Sequence, residues 1–207
     1  MTNESPTVFV VDDEESVRKA LARLLRAAGF NVAAFASPRE FLESYDPHAP
    51  GCLILDVAMP GLNGLELQQQ LADRGAGLPI IFLTGRADVP MSVQAMKKGA
   101  LDFLTKPVND ENLLAAVRGA IQRDYADRQA RAELGDIKQR LETLTPRERE
   151  VLVHVVSGKL NKQTAAELGT VEKTIKVHRA RVMEKMMVQS VAELVRLAEK
   201  AGIRPAE

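Results

Sequence analysis

Over the first 120 or so positions, short continuous apolar runs alternate with apolar stripes of helical spacing. Val8-Phe9-Val10-Val11 is a β-branched and aromatic run that ends on Asp12-Asp13. Residues 14–28 place Val17, Leu21, Leu24 and Leu25 on one helix face, and Gly29 closes that helix. Residues 31–35 form a second strand. Ser37-Pro38-Arg39-Glu40 is a capping box with proline at the first helical position. Leu53-Ile54-Leu55 is a third, buried strand that ends on Asp56 and breaks at Pro60-Gly61. The alternation continues with a helix over 64–72, a strand over 79–83 that runs into Thr84-Gly85, and a helix over 89–98 stopped by Gly99. A short strand over 101–104 leads into Thr105-Lys106-Pro107, and Asn109 caps a fifth helix.

Five strand–helix repeats predict an α/β fold: a doubly wound, five-stranded parallel sheet in the order 2-1-3-4-5, with strands 1, 3 and 4 interior. The fifth helix has no clear stop. Residues 110–143 contain no proline, and Leu134, Ile137, Leu141 and Leu144 fall on a heptad seam. That seam fits either a solvated connecting helix or a dimerising one. Thr145-Pro146-Arg147-Glu148 is a second capping box and opens a new domain. Helices are predicted there over about 146–157, 161–168, 171–186 and 190–201, the last behind a box at Ser190 and Glu193. The third places Val171, Ile175, Val182 and Met186 on one core face. The expected division is 1–122, a helical linker over 123–143, and an all-α module over 144–207.

The chain's 28 basic and 28 acidic residues cancel. Residues 1–140 carry a net −3 and the remainder +3, which hints that the second part meets a polyanion. Cys52 is the only cysteine and reads as a small buried residue. The N-terminus lacks a basic-then-apolar leader, and no run approaches 18 apolar residues, so a cytoplasmic protein with no membrane partner is expected.

The predicted sheet brings Asp12, Asp13, Asp56, Thr84 and Lys106 to one edge. A lone aspartate at a strand end is ordinarily a turn cap. Three carboxylates together repel each other, and a hard cation such as Mg²⁺ relieves the repulsion while keeping waters for phosphate oxygens. A carboxylate beside such an ion can be the nucleophile that forms an aspartyl phosphate. Thr84 and Lys106 supply a hydroxyl and a cation for the other phosphoryl oxygens.

The fragments Val10-Val11-Asp12-Asp13, Leu55-Asp56-Val57-Ala58-Met59-Pro60-Gly61-Leu62-Asn63-Gly64, Leu83-Thr84-Gly85 and Phe103-Leu104-Thr105-Lys106-Pro107 closely resemble the receiver domain of two-component response regulators. The resemblance implies that Asp56 accepts phosphate from a sensor histidine kinase. It implies that Asp13, Asp56 and the Ala58 carbonyl ligate Mg²⁺ directly, with Asp12 acting through water. It further implies a cis peptide before Pro107, and a switch in which Thr84 moves towards the phosphate and Phe103 turns inward. Ala58 and Arg86 fall where such proteins tune phosphate loss, and Arg86 is expected to shield the phosphate from water.

The segment from Leu144 through Thr145-Pro146-Arg147-Glu148, Asn161-Lys162-Gln163, Ala166-Glu167-Leu168-Gly169 and Glu172-Lys173-Thr174-Ile175-Lys176-Val177-His178 resembles the LuxR-type helix-turn-helix of the FixJ/NarL family. By that resemblance Lys176 and Val177 lie nearest base edges, while Lys173, Thr174, His178 and Arg181 suit phosphates. Arg179 is left out, because it points toward the module's edge. Thr164, Ala180 and the Met186-Met187 pair depart from the usual pattern. The whole implies a transcriptional regulator that pairs as a homodimer on phosphorylation, binds double-stranded promoter DNA and works with RNA polymerase. It would be no enzyme beyond self-phosphoryl transfer and autodephosphorylation at Asp56. The alternatives are a phosphorylation-independent DNA-binding scaffold and an aspartyl-phosphate phosphatase. The phosphatase usually needs a second acid where this chain has Ala58.

Overall fold

The predicted strands form as β1 (Thr7–Val11), β2 (Asn31–Phe35), β3 (Gly51–Asp56), β4 (Ile80–Thr84) and β5 (Asp102–Thr105), all parallel, in the order β2-β1-β3-β4-β5. A computed structural model describes residues 5–85 and 89–204. These separate into two units, the first ending at Arg128 and the second starting at Gln129. Successive residues of a strand face opposite sides of the sheet. Val8, Val10, Cys52, Ile54, Ile81 and Leu83 therefore pack on α1 (Glu15–Ala27) and the first turns of α5 (Asp110–Glu142). Phe9, Val11, Leu53, Leu55 and Phe82 pack against α2 (Pro38–Ser44), α3 (Gly64–Asp73) and α4 (Val89–Lys97). Burial pushes the Cys52 thiol up to about 12, so it is an inert core residue.

Asp124 of α5 is 2% exposed. Its carboxylate accepts the Gly51 N–H (2.9 Å) and the Arg128 Nε (2.8 Å). The Arg128 guanidinium then donates to the carbonyls of His48 (2.8 Å) and Ala49 (2.6 Å). This clasp fastens α5 to the start of the strand that ends on Asp56.

The second unit holds the end of α5, α6 (Pro146–Val156), α7 (Asn161–Glu167), α8 (Glu172–Lys185) and α9 (Val191–Lys200). Ile137 and Leu144 are buried with Val151, Val155, Ile175, Val182 and Leu194, and Leu141 packs against them. From Ile137 onward the heptad seam is therefore claimed by the chain's own core, which neither sequence reading foresaw. Val171 corrects a second expectation: it precedes the first turn of α8 and is exposed, not core.

Thr145 and Glu148 form the complete predicted capping box. At Ser37 and Ser190 only the hydroxyl half forms. Glu40 and Glu193 reach one residue further back, to the N–H groups of Ala36 (2.7 Å) and Gln189 (2.8 Å). Glu148 also pairs with Lys185 at 2.7 Å. The Lys185 hydrogen bond, then the Thr145 N–H, lowers its carboxyl from the usual 4.5 to about 2. A depressed carboxylate stabilises the fold above its ordinary value and loses that contribution as the pH falls through the folded one. Between about pH 4.5 and 2 the second unit should loosen. Amide protection in α6 and α8, taken relative to the unstructured rate at each pH, should fall over that range, and Glu148→Gln should flatten the response.

Met187, just past α8, has φ 55°, a left-handed conformation that favours glycine. Its side chain is 73% exposed, so truncation sacrifices little packing. Met187→Gly should stabilise the second unit by about 0.5–1 kcal/mol, read as slower amide exchange in α8.

Candidate functional site

Parallel register aligns the strand ends: Val11 lies opposite Leu55, and Asp56 opposite Leu83. The residues that close β1, β3 and β4 therefore collect at one edge of the sheet, where ligands bind in such folds. One carboxylate oxygen from each of Asp12, Asp13 and Asp56 lies within 4.8 Å of the other two. Asp12 and Asp56 are buried and Asp13 is exposed. Lys106, just past β5, puts its Nζ 2.7 Å from Asp12 Oδ2 and 3.3 Å from Asp56 Oδ1. Thr84 is the last residue of β4 and is buried. Ala58 sits exposed in the loop after β3. Phe103 is half-buried in β5, with its ring 6.1 Å from that of Phe82. The Lys106–Pro107 peptide is cis. Arg86 lies outside the described residues.

Two backbone features hold the pocket's walls. A Cβ on Gly64 would stand 2.4 Å from the Asp56 carbonyl oxygen, so glycine lets α3 start directly behind the strand end. Asp12 is fixed from both directions: its Oδ1 accepts the Glu14 N–H (2.9 Å), and its carbonyl accepts from Arg18 (2.7 Å). Burial raises the Asp56 carboxyl above its ordinary range, Lys106 opposes this, and Asp12 and Asp13 reinforce it. Burial pulls Lys106 down, but Asp12 and Asp56 outweigh it and hold the ammonium above its usual value. Among the described residues, one ammonium thus faces three clustered carboxylates. An excess of hard, anionic oxygen donors with one open side is a donor set that fits a divalent cation.

In the second unit, α7 and α8 are joined by a turn at Gly169 (φ 63°). Ile175, Val182 and Met186 are buried. Lys173, Lys176, Val177 and Arg181 lie on the outward side of α8 and are exposed. Lys176 also pairs with Glu172 at 3.1 Å. Thr174 and His178 are only half-exposed, and the His178 Nδ1 is enclosed without a hydrogen-bond partner. Arg179 donates to Asn161 Oδ1 (3.2 Å), tying α8 to α7.

Residues 8–118 match the response regulator receiver domain family, and residues 142–198 match the bacterial regulatory proteins of the luxR family. The chain is a two-component response regulator. It is 49% identical to nodulation protein W of Bradyrhizobium diazoefficiens, over 95% of this chain and 86% of that protein. It is 43% identical to the transcriptional regulatory protein FixJ of Azorhizobium caulinodans, over 99% of this chain and 97% of the relative. Among solved structures, response regulator StyR aligns at 48% identity with a TM-score of 0.85, covering 95% of this chain and all of that one.

For this response regulator, sequence reasoning missed Glu14, whose carboxylate stands 3.7 Å from Lys106, and Arg18, which steadies Asp12. Arg18 lies six residues past its acceptor, so no motif marked it. The predicted Asp12, Asp13, Asp56, Thr84 and Lys106 all belong to β-strand ends or the residues directly after them. No helix among the described residues is long and apolar enough to cross a membrane.

Proposed function

We propose that Asp56 is the phospho-acceptor of this regulator and that its modification promotes dimerisation and promoter binding. The observation that carries this reading is the acid cluster with Lys106 bridging Asp12 and Asp56. A sensor histidine kinase would present a phosphohistidine. The Asp56 carboxylate attacks phosphorus, the phosphorus–nitrogen bond breaks, and the imidazole leaves with the electron pair. Asp13, Asp56 and the Ala58 carbonyl would hold Mg²⁺, with Asp12 acting through water. When bound, the ion supplies charge neutralisation for the phosphoryl oxygens. Lys106 turns from Asp56 to a phosphoryl oxygen, and Thr84 donates its hydroxyl to another. Thr84 and Phe103 then carry the change to the surface of α4, β5 and α5. Beside Lys106, a groove of about 770 Å³ lined by Val17, Leu21, Leu24, Pro107 and Val108 gives a kinase an apolar foothold.

In the DNA-binding domain, Lys176 and Val177 face base edges, while Lys173, Thr174, His178 and Arg181 serve phosphates. Pairing two weak half-site binders raises avidity with no new base contact. The working division is a receiver over 1–122, a linker over 123–143 and the DNA-binding domain over 144–207, the linker's Asp124 and Arg128 bonding to the receiver and its Ile137 packing in the DNA-binding domain, in a cytoplasmic protein that works with RNA polymerase. The phosphatase reading lacks its second acid, since Ala58 stands two residues past Asp56.

Solution mass and binding to promoter DNA, with and without Mg²⁺ plus beryllofluoride, test the proposal beside Asp56→Asn. The mimic should drive pairing and tighten DNA binding in the natural protein and leave the variant unchanged. Equal DNA binding by both proteins in every condition would favour the phosphorylation-independent scaffold.

A further inference from the structure

Among the described residues of the second unit, four large apolar side chains stand in solvent: Leu160 (68%), Val171 (64%), Val177 (45%) and Met187 (73%). Three of them belong to the helix-turn-helix. Leu160 and Val171 occupy the N-cap positions of α7 and α8, and neither side chain can cap. The contrast lies within the same unit, where α6 and α9 begin on Thr145 and Ser190, whose hydroxyls accept the amide three residues on. At α7 only the reverse half of the box forms, with the Leu160 N–H donating to Gln163 Oε1 at 2.8 Å.

A branched aliphatic at an N-cap forgoes a capping hydrogen bond. Exposed as these are, they return nothing to the core. Their position gives them an occupant. In a helix-turn-helix the N-terminal residues of the second helix meet base edges in the major groove, while the first helix crosses the backbone. The major groove shows one apolar group, the C5-methyl of thymine. Lys173, Lys176 and Arg181 around α8 match a polyanion in charge.

We propose that Val171 is a specificity determinant that packs on a thymine methyl, with Leu160 lying against the sugar-phosphate backbone. This rests on the DNA-binding reading of α8 and adds to it a base contact ahead of Lys176 and Val177. The two residues differ in what they sense: Val171 responds to a base, Leu160 to any duplex.

The test uses the full chain with Mg²⁺ and beryllofluoride. Preferred duplexes are selected from a random pool, and each thymine of the best one is then replaced in turn by uracil, which lacks only the methyl. The natural protein should lose about three- to fivefold in affinity at one thymine per half-site, the worth of one buried methyl. Val171→Ser should lose a similar factor on the thymine duplex and be indifferent to uracil at that position. Its salt slope should be unchanged and its melting temperature equal or higher, since serine restores the cap. Leu160→Ser should weaken binding alike on all duplexes. Selection of a sequence followed by indifference of the natural protein to every uracil overturns this inference alone. So does full-strength binding by Val171→Ser. Failure to enrich any duplex overturns the DNA-binding reading together with it.

Discussion

Gly51→Ala is expected to unfold the receiver unit. Gly51 opens β3 with φ 152°, a backbone that side chains rarely adopt, and a Cβ there would stand 1.9 Å from the Thr7 carbonyl oxygen. That oxygen belongs to the β1–β3 ladder, where Thr7 pairs with Gly51. Neither strand can retreat without breaking the central pairing of the sheet. Its N–H is also the group that Asp124 accepts. Overlap with backbone, positive φ and a displaced buried hydrogen bond together should exceed about 4 kcal/mol, a large part of a domain's total stability. Both tyrosines, Tyr45 and Tyr125, precede residue 128, and the chain has no tryptophan, so tyrosine fluorescence reports the receiver alone. Denaturation followed by that signal should show no folded baseline, while helices of the second unit keep their amide protection. A midpoint shift worth under about 1 kcal/mol would show that the strand start yields easily.

The second large effect belongs to Arg128. Arg128→Ala removes the cation paired with a nearly buried Asp124, and it takes the guanidinium donor from the carbonyls of His48 and Ala49. Breaking one partner of a buried pair costs about 3 kcal/mol or more, because a charge stays behind uncompensated. Arg128→Lys should recover little of this. One ammonium cannot reproduce a planar fork that serves a carboxylate and two carbonyls at once. In urea denaturation the Asp124→Ala/Arg128→Ala double variant should lose clearly less than the two single losses added together. Simple additivity would mean the two side chains act independently.

Much of this was readable from the chain. The runs ending on Asp12 and Asp56 gave strand, burial and position together, because a buried parallel strand is a continuous apolar run. The sheet order followed as the common solution for five strand–helix repeats of this size. The clasp left no trace of this kind: Arg128 meets His48 and Ala49 from 80 and 79 positions away, with no periodicity to announce it. The seam through Ile137 and Leu144 shows why pattern alone stops short. Spacing says which face of a helix is apolar, and it says nothing about what covers it. Val171 shows the opposite error. It matched the core spacing of α8, yet an N-cap lies outside the first turn, where that spacing no longer applies.

The length of α5 carries a consequence for how such proteins can be recombined. The receiver family's match ends at residue 118 and the LuxR family's begins at 142. A hybrid gene spliced at those borders would discard Asp124 and Arg128 from one parent and Ile137 from the other. Each half would arrive with its signature motifs complete and part of its own support missing. A crossover past Arg128 and before Glu133, which pairs with Lys200 at 2.6 Å, keeps the clasp with one parent and Ile137 with the other.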